Sequence, residues 1–133
     1  MCLAKDAHAA VRYLRESGAT SVAIVGASLG GGAAAQAAIE TPGQIDRVVL
    51  LAHMTVDHPE RLSTPALFIL ARDDASGSGP RLPGIREQYE KATGPKELVL
   101  LDDSAHAQFL FASPQGDEAM QAILRFLHAP PAR

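Results

Sequence analysis

The hydrophobic residues of this chain fall into short apolar runs separated by segments of helical periodicity. Four runs are almost continuous, as expected for strands covered on both faces of a parallel sheet. They are SVAIVG (21–26), RVVLLA (47–52), ALFILA (66–71) and ELVLLD (97–102). Because helical segments separate the runs, the pattern predicts an α/β fold with a short, mostly parallel sheet of about four strands flanked by helices.

Four segments have the spacing of amphipathic or small-residue helices. The first segment has apolar residues at helical spacing and ends before Gly18. The second is AAAQAAIE after a glycine cluster, and the third follows Pro83-Gly84. Ser113 is expected to cap the fourth, with Pro114 at its first position. The residues predicted to face the core are Leu3, Ala7, Ala10, Val11 and Leu14 in the first helix, Ile85, Tyr89 and Ala92 in the third, and Met120, Ile123, Leu124 and Leu127 in the fourth.

The stretch DDASGSGPRLPG, residues 73–84, is rich in glycine, serine and proline and is predicted to be a surface loop. Loops of this kind, at the ends of buried strands, are where chemistry is expected in an α/β fold.

Composition and charge narrow the class of protein. With 133 residues, 47% of them hydrophobic, the chain suffices for one domain with a true core. The net charge is −3 and no two basic residues are adjacent, which argues against nucleic-acid or membrane partners. The first residues lack the continuous apolar stretch of a signal peptide. The single cysteine, Cys2, has no mate within the chain, so a reducing compartment, the cytoplasm, is expected.

One motif carries the chemistry. Residues 26–30 read Gly-Ala-Ser-Leu-Gly, a G-x-S-x-G sequence between a predicted strand and a predicted helix. Such a sharp turn needs residues with little or no side chain beside the serine, which Gly26, Gly30, Gly31 and Gly32 provide. Ser28 is therefore the candidate nucleophile.

A serine nucleophile needs a base and a carboxylate that orients the base. Both are expected at the ends of later strands. His106 follows the fourth run, and Asp73 and Asp74 follow the third, which gives the order serine, aspartate, histidine. Neighbouring residues of an extended segment point to opposite sides, so only one of the two aspartates is expected to face His106. Asp102 and Asp103 are interpreted as loop-capping residues.

On these motifs the chain resembles the C-terminal catalytic half of an α/β-hydrolase, in the small esterase, lipase and dienelactone-hydrolase group. The resemblance extends over essentially all 133 residues and implies one domain, residues 1–133, that lacks the usual N-terminal strands. In such proteins the acid stands in a strand-G-x-x-D pattern. Residues 71–74, Ala-Arg-Asp-Asp, match it and point to Asp74; because Ala71 replaces the usual glycine, Asp73 is the alternative acid.

The resemblance implies a serine esterase for small carboxylic esters, with no cofactor or metal ion. His106 would take the proton of Ser28, Ser28 would attack the ester carbonyl, and the N–H of Leu29 would be one oxyanion donor. The second donor of such proteins comes from a loop after an earlier strand, and nothing before Ser28 resembles H-G-G. Losing one donor costs about a hundred- to thousandfold in rate.

A second hypothesis is a catalytically weak fragment of the same fold that acts as an interaction module or completes itself by self-association. In the resembling fold an earlier strand flanks the serine strand. Residues 21–26 are then expected at an exposed apolar edge, through which a homodimer would form.

Two other interpretations fit the sequence less well. The glycine cluster suggests a phosphate-binding turn, yet no G-K-S/T follows it and no acidic residue ends the next strand. His53, Asp57 and His58 are metal-ligand types, but their spacing matches no common zinc pattern.

Three apolar residues follow His106 and either line an acyl pocket or pack under the last helix. They are Phe109, Leu110 and Phe111.

Overall fold

The computed structural model describes residues 3–130 and shows a parallel sheet between helices. Cys2, and with it the redox expectation, lies outside these residues. The predicted fold class is confirmed. In chain order the elements are α1 (Leu3–Glu16), β1 (Ala23–Ala27), α2 (Leu29–Glu40), β2 (Arg47–Leu51), a 3-10 turn (Pro59–Arg61), β3 (Ala66–Ala71), β4 (Ala75–Ser76), β5 (Gly79–Pro80), α3 (Leu82–Lys91), β6 (Lys96–Leu101), a 3-10 helix (Ala107–Ala112) and α4 (Gly116–His128).

The main sheet has four strands in the order β1-β2-β3-β6, and every neighbouring pair is parallel. The register pairs Ala27 with Leu51, Leu51 with Ile69, and Ala71 with Leu101. The carboxyl ends of all four strands therefore lie at one edge of the sheet, where open α/β sheets bind their ligands. The loops that follow β1, β2, β3 and β6 meet at this edge.

Side chains from the two faces of the sheet enter two separate core clusters. Val48 and Leu50 belong to the cluster that also holds Val11 of α1 and the alanines of α2, whereas Val49 and Leu51 pack with Ile123 of α4. This division follows from the alternation of side chains along a strand. β2 and β3 are accordingly apolar at almost every position, as the continuous runs predict.

β1 departs from the prediction of cover on both faces. It is the first strand in the sheet order and pairs only with β2 among the described residues. Ala23 is exposed and the side chain of Val25 is 50% exposed. The expected exposed apolar edge is thus present at β1. At the opposite edge, β6 begins with the exposed polar residues Lys96 and Glu97.

The buried faces of two helices differ from those predicted. In α1, Val11 is buried but Ala10 and Leu14 are exposed. In α4, Met120 and Leu124 are exposed, and the buried positions are Gly116, Ala119, Ala122 and Ile123. Ile123 is buried as predicted and Leu127 packs partly against the core, but Ala119 and Ala122 take the inward positions that were predicted for Met120 and Leu124.

Two further local expectations need correction. α4 begins at Gly116, after a turn in which the Ser113 hydroxyl accepts a hydrogen bond from the N–H of Gln115. The predicted loop over residues 73–84 contains an antiparallel hairpin of β4 and β5, which pairs Ala75 with Pro80 and Ser76 with Gly79.

Within residues 3–130, no helix combines the length and apolarity needed to cross a membrane. The cytoplasmic location stays a prediction.

Candidate active site

Ser28 occupies the corner between the last residue of β1 and the first residue of α2. Its backbone has φ 53° and ψ −117°, a strained conformation for a residue with a side chain. Three hydrogen bonds hold it: the N–H donates to the carbonyl of Leu51 (2.9 Å), and the carbonyl accepts from the N–H groups of Gly32 (3.1 Å) and Met54 (2.8 Å). The corner is thus fixed both by its own helix and by the end of β2.

The glycines of this serine turn (residues 26–32) are not equally required. A Cβ on Gly26 would lie 2.6 Å from the carbonyl oxygen of Gly30, and one on Gly31 would lie 2.7 Å from the Cβ of His53. A Cβ on Gly32 would lie 2.8 Å from the carbonyl oxygen of Met54. A Cβ on Gly30 would meet no atom within 4 Å, so the expectation that Gly30 is needed for space is wrong.

His106 follows β6 and lies between the predicted nucleophile and the predicted acid. Its Nε2 is 3.0 Å from the hydroxyl oxygen of Ser28, and its Nδ1 is 2.7 Å from Oδ2 of Asp74. A carboxylate accepts hydrogen bonds, so Nδ1 carries the proton that is donated to Asp74. Nε2 then presents its lone pair to the hydroxyl of Ser28, the arrangement that a general base requires.

Asp74 is the aspartate that reaches His106. A tight turn after β3, in which the N–H of Asp74 donates to the carbonyl of Ala71, directs its side chain inward, where it is only 1% exposed. Asp73, the alternative acid, has an exposed side chain, and its backbone N–H donates to the carbonyl of Asp103. Only one of the two neighbours faces His106, as predicted, but the cause is the turn at residues 72–73 and not the alternation of an extended strand.

The aspartates nearest His106 in sequence have other partners. Asp103 Oδ1 accepts hydrogen bonds from the N–H groups of Ser104 (2.7 Å) and Ala105 (2.9 Å), which confirms its loop-capping role. These backbone donors lower the pKa of the Asp103 carboxyl. Asp102 instead pairs with the guanidinium of Arg72 at the surface.

A second polar interaction holds Asp74. Arg81 donates from Nε to Oδ1 of Asp74 at 3.0 Å, so each carboxylate oxygen has a separate partner. Sequence reasoning missed Arg81, because it lies in the segment predicted to be an irregular loop. The only available signal was its position a few residues after the candidate acid.

A cavity of about 330 Å³ opens beside Ser28. One wall comes from the loop after β2 and the other from the β4–β5 hairpin and the start of α3. Phe109, Leu110 and Phe111 are not among its lining residues: Leu110 is buried in the core, and the two phenylalanines are exposed. The lining residues are Ser28, His53, Met54, Thr55, Ser76, Ser78, Gly79, Pro80, Arg81, Gly84 and Ile85.

His53 at the wall of this cavity is buried and neutral. Its Nε2 lies 3.3 Å from Oε1 of Gln88, which can only accept, so Nε2 carries the proton. Burial lowers the pKa of His53 to about 4, against a weaker opposing effect of the Gln88 hydrogen bond.

Another candidate metal ligand, His58, bonds to Glu60 at the surface. Across residues 3–130, no cluster of three histidine, cysteine or acidic side chains is arranged to hold a metal ion.

The N–H of Leu29, the predicted oxyanion donor, belongs to the first turn of α2. The first N–H groups of an α-helix have no partner within the helix and lie at its positive end. This amide therefore belongs to the residue directly after Ser28, at the end of the helix where negative charge is stabilised.

Comparison with known proteins assigns this chain to a family. Residues 2–126 match the dienelactone hydrolase family. The chain belongs to the dienelactone hydrolase family. No curated protein matches this chain.

Solved structures share the fold of this dienelactone hydrolase family member. A dienelactone hydrolase from Anabaena variabilis is 25% identical with a TM-score of 0.65, over 89% of this chain and 54% of that protein. A predicted CIB-like hydrolase from Thermoplasma acidophilum has 20% identity and a TM-score of 0.73, over 94% and 57% of the two chains. An esterase domain from Rhodothermus marinus has 19% identity and a TM-score of 0.68, over 91% and 65%. The chain thus spans between about half and two-thirds of the length of these structures.

Proposed function

We propose that this protein is a serine hydrolase that cleaves small carboxylic esters through an acyl-enzyme intermediate. The observation that carries the proposal is the continuous hydrogen-bonded series from Asp74 through His106 to Ser28, at 2.7 and 3.0 Å. Membership of the dienelactone hydrolase family supports the same class of reaction.

In the first half of the reaction, Nε2 of His106 accepts the hydroxyl proton of Ser28 while Oγ forms a bond to the ester carbonyl carbon. Asp74 stabilises the resulting imidazolium through its bond to Nδ1. The carbonyl oxygen becomes an oxyanion that accepts a hydrogen bond from the N–H of Leu29. When the C–O bond to the leaving group breaks, His106 returns the proton to the departing alcohol.

In the second half, a water molecule replaces the alcohol. His106 removes one proton from the water, whose oxygen attacks the acyl carbon and releases the carboxylic acid. The same proton then returns to Oγ of Ser28, and the enzyme is regenerated. The proposed reaction uses no cofactor or metal ion.

The size of the cavity supports a small substrate. About 330 Å³ lies at the lower end of the range for small-molecule sites. Its wall combines the apolar side chains of Met54 and Ile85 with the hydroxyls of Ser76 and Ser78. We therefore propose short-chain esters as substrates in preference to long acyl chains.

A fluorophosphonate probe tests this proposal, because it phosphonylates a serine activated by a base. We expect the probe to label the parent chain and not Ser28→Ala, and an activated acetate ester to give a burst of alcohol release from the parent chain alone. Ser104→Ala is a matched control on a neighbouring loop. Equal labelling or equal ester hydrolysis in Ser28→Ala and the parent chain would contradict the proposal.

The exposed edge of β1 favours a second candidate, self-association of a catalytically weak fold. Within residues 3–130 no strand pairs with the outer side of β1, next to the half-exposed side chain of Val25, so another strand can pair there. We propose a second copy of this chain as the partner. In sedimentation experiments over a range of concentrations, we expect a dimer in the parent chain and a monomer in Val25→Lys. A parent chain that stays monomeric at all concentrations rules out this pairing.

A further inference from the structure

Arg81 occupies a position at which local helix preferences disfavour it. It is the residue immediately before α3, and its side chain makes no capping hydrogen bond to the first turn. Serine, threonine, aspartate and asparagine are the preferred residues there, and the positive end of a helix disfavours a cation. Departures from such local rules are expected where function requires them.

The backbone around Arg81 is held from both sides. Its N–H donates to the carbonyl of Asp74 at 3.0 Å, which closes the base of the β4–β5 hairpin. Its carbonyl accepts from the N–H of Ile85 at 3.1 Å, and Ile85 is buried in the core. The backbone of Arg81 is thus fixed beside the acid, so that its side chain can reach the carboxylate of Asp74 without a movement of the chain.

The pairing satisfies a requirement of the buried carboxylate. Asp74 is 1% exposed, and its two side-chain partners are His106 at Oδ2 and Arg81 at Oδ1. A buried carboxylate is costly unless it is paired and hydrogen-bonded. Arg81 supplies a permanent cation to Oδ1, while Oδ2 remains directed at Nδ1 of His106. Rotation of the carboxylate would break the bond to Arg81.

We propose that Arg81 is a positioning residue that fixes the Asp74 carboxylate in the orientation in which it holds His106. The effect of Arg81 on catalysis rests on the proposed serine hydrolase function, whereas its effect on the orientation of Asp74 and His106 does not. Arg81 acts through Asp74: within residues 3–130 its guanidinium bonds to Oδ1 of Asp74 and makes no hydrogen bond to Ser28 or His106.

Two measurements on Arg81→Met test the proposal, with Arg72→Met as the matched control. Arg72 also donates from Nε to an aspartate, Asp102, but at the exposed surface and at 3.2 Å. The first measurement is the downfield proton resonance of the His106 Nδ1–H, assigned by its absence in His106→Gln. We expect Arg81→Met to lose or displace this resonance and Arg72→Met to keep it.

The second measurement is turnover of a neutral acetate ester. Loss of one charge-assisted bond to the carboxylate is expected to lower kcat roughly tenfold to hundredfold, with KM changed by less than about threefold. On the Asp74→Asn background the same substitution is expected to lower kcat less than about twofold, because residues that act through one another are not additive. If Arg81 only stabilised the β4–β5 hairpin, Arg81→Met would lower kcat by the same factor in the parent chain and in Asp74→Asn.

The outcomes separate this proposal from the proposed function. If the fluorophosphonate does not label Ser28 of the parent chain, the function fails, while the resonance still decides the role of Arg81. A folded Arg81→Met with an unchanged resonance overturns the proposal. If Arg81→Met lacks a cooperative thermal transition, Arg81→Lys replaces it, since lysine keeps the charge but not the planar donor. A parent-like resonance in Arg81→Lys would then overturn the proposal.

Discussion

Gln88 of α3 binds the imidazole of His53 beneath the serine turn, with Oε1 at 3.3 Å from Nε2 of the histidine. The same amide also accepts from the N–H of Val56 and donates to its carbonyl, at 3.0 and 3.1 Å. The Cβ of His53 lies against Gly31 of the serine turn. The hydrogen bond to Gln88 therefore fixes a side chain on which the serine turn packs.

Burial of His53 is expected to make the stability of the protein depend on pH. The pKa of His53 is about 4 in the folded chain and about 6.5 in the unfolded chain, so the unfolded chain binds more protons between these values. The free energy of unfolding should therefore fall as the pH drops from about 6.5 to about 4, by an amount on the order of 3 kcal/mol. Urea unfolding of the parent chain and His53→Asn at several pH values measures it. Parallel pH dependences in the two chains would contradict the assignment.

The glycines of the serine turn are predicted to respond differently to alanine. Gly26→Ala places a Cβ 2.6 Å from a backbone oxygen, and since neither backbone segment can yield freely, we expect a loss on the order of 2 kcal/mol or more and a displaced Ser28. Gly30→Ala enters open space within a helix and is expected to be neutral or stabilising by up to about 1 kcal/mol. Thermal unfolding of both variants tests the contrast, which fails if Gly30→Ala is as destabilising as Gly26→Ala.

Asp74 and Asp73 form a natural pair of variants for the proposed mechanism. Asp74→Asn keeps the shape but favours the wrong tautomer of His106, and kcat for an ester is expected to fall roughly a thousandfold or more. Asp73→Asn alters an exposed side chain and is expected to leave kcat within about twofold. Steady-state kinetics on both variants provide the comparison. A larger loss in Asp73→Asn would reassign the acid.

The inward face of α4 can be tested with two neighbouring residues. Ile123 is 5% exposed and packs against β2 and β3, whereas Leu124 is 47% exposed. Ile123→Ala is expected to lower the free energy of unfolding by about 2–4 kcal/mol, and Leu124→Ala by less than about 0.5 kcal/mol. Chemical denaturation measures both, and similar losses would mean that α4 is packed on its leucine and methionine side.

The strands and the serine turn were predictable because their signals are local. A continuous apolar run such as 66–71 indicates a strand, and β3 has these bounds. Whether the strand is covered depends on its place in the sheet, because Val25 of the edge strand β1 is half exposed. The motif around Ser28 is likewise defined by adjacent residues. The order of Ser28, Asp74 and His106 along the chain follows from the strands that precede them, and parallel strands bring their carboxyl ends to one edge.

The sequence by itself therefore determined the α/β class, the strand-to-helix corner at Ser28, and Ser28 and His106 as candidate residues with an acid at position 73 or 74. Tertiary structure decided which of two adjacent aspartates turns inward, that Gly30 is free of contacts, and that α4 packs through alanines. It also formed the hairpin that brings Arg81 back to Asp74. These features depend on distances between residues remote in sequence or on which side of an element meets the core, and neither periodicity nor composition specifies such distances.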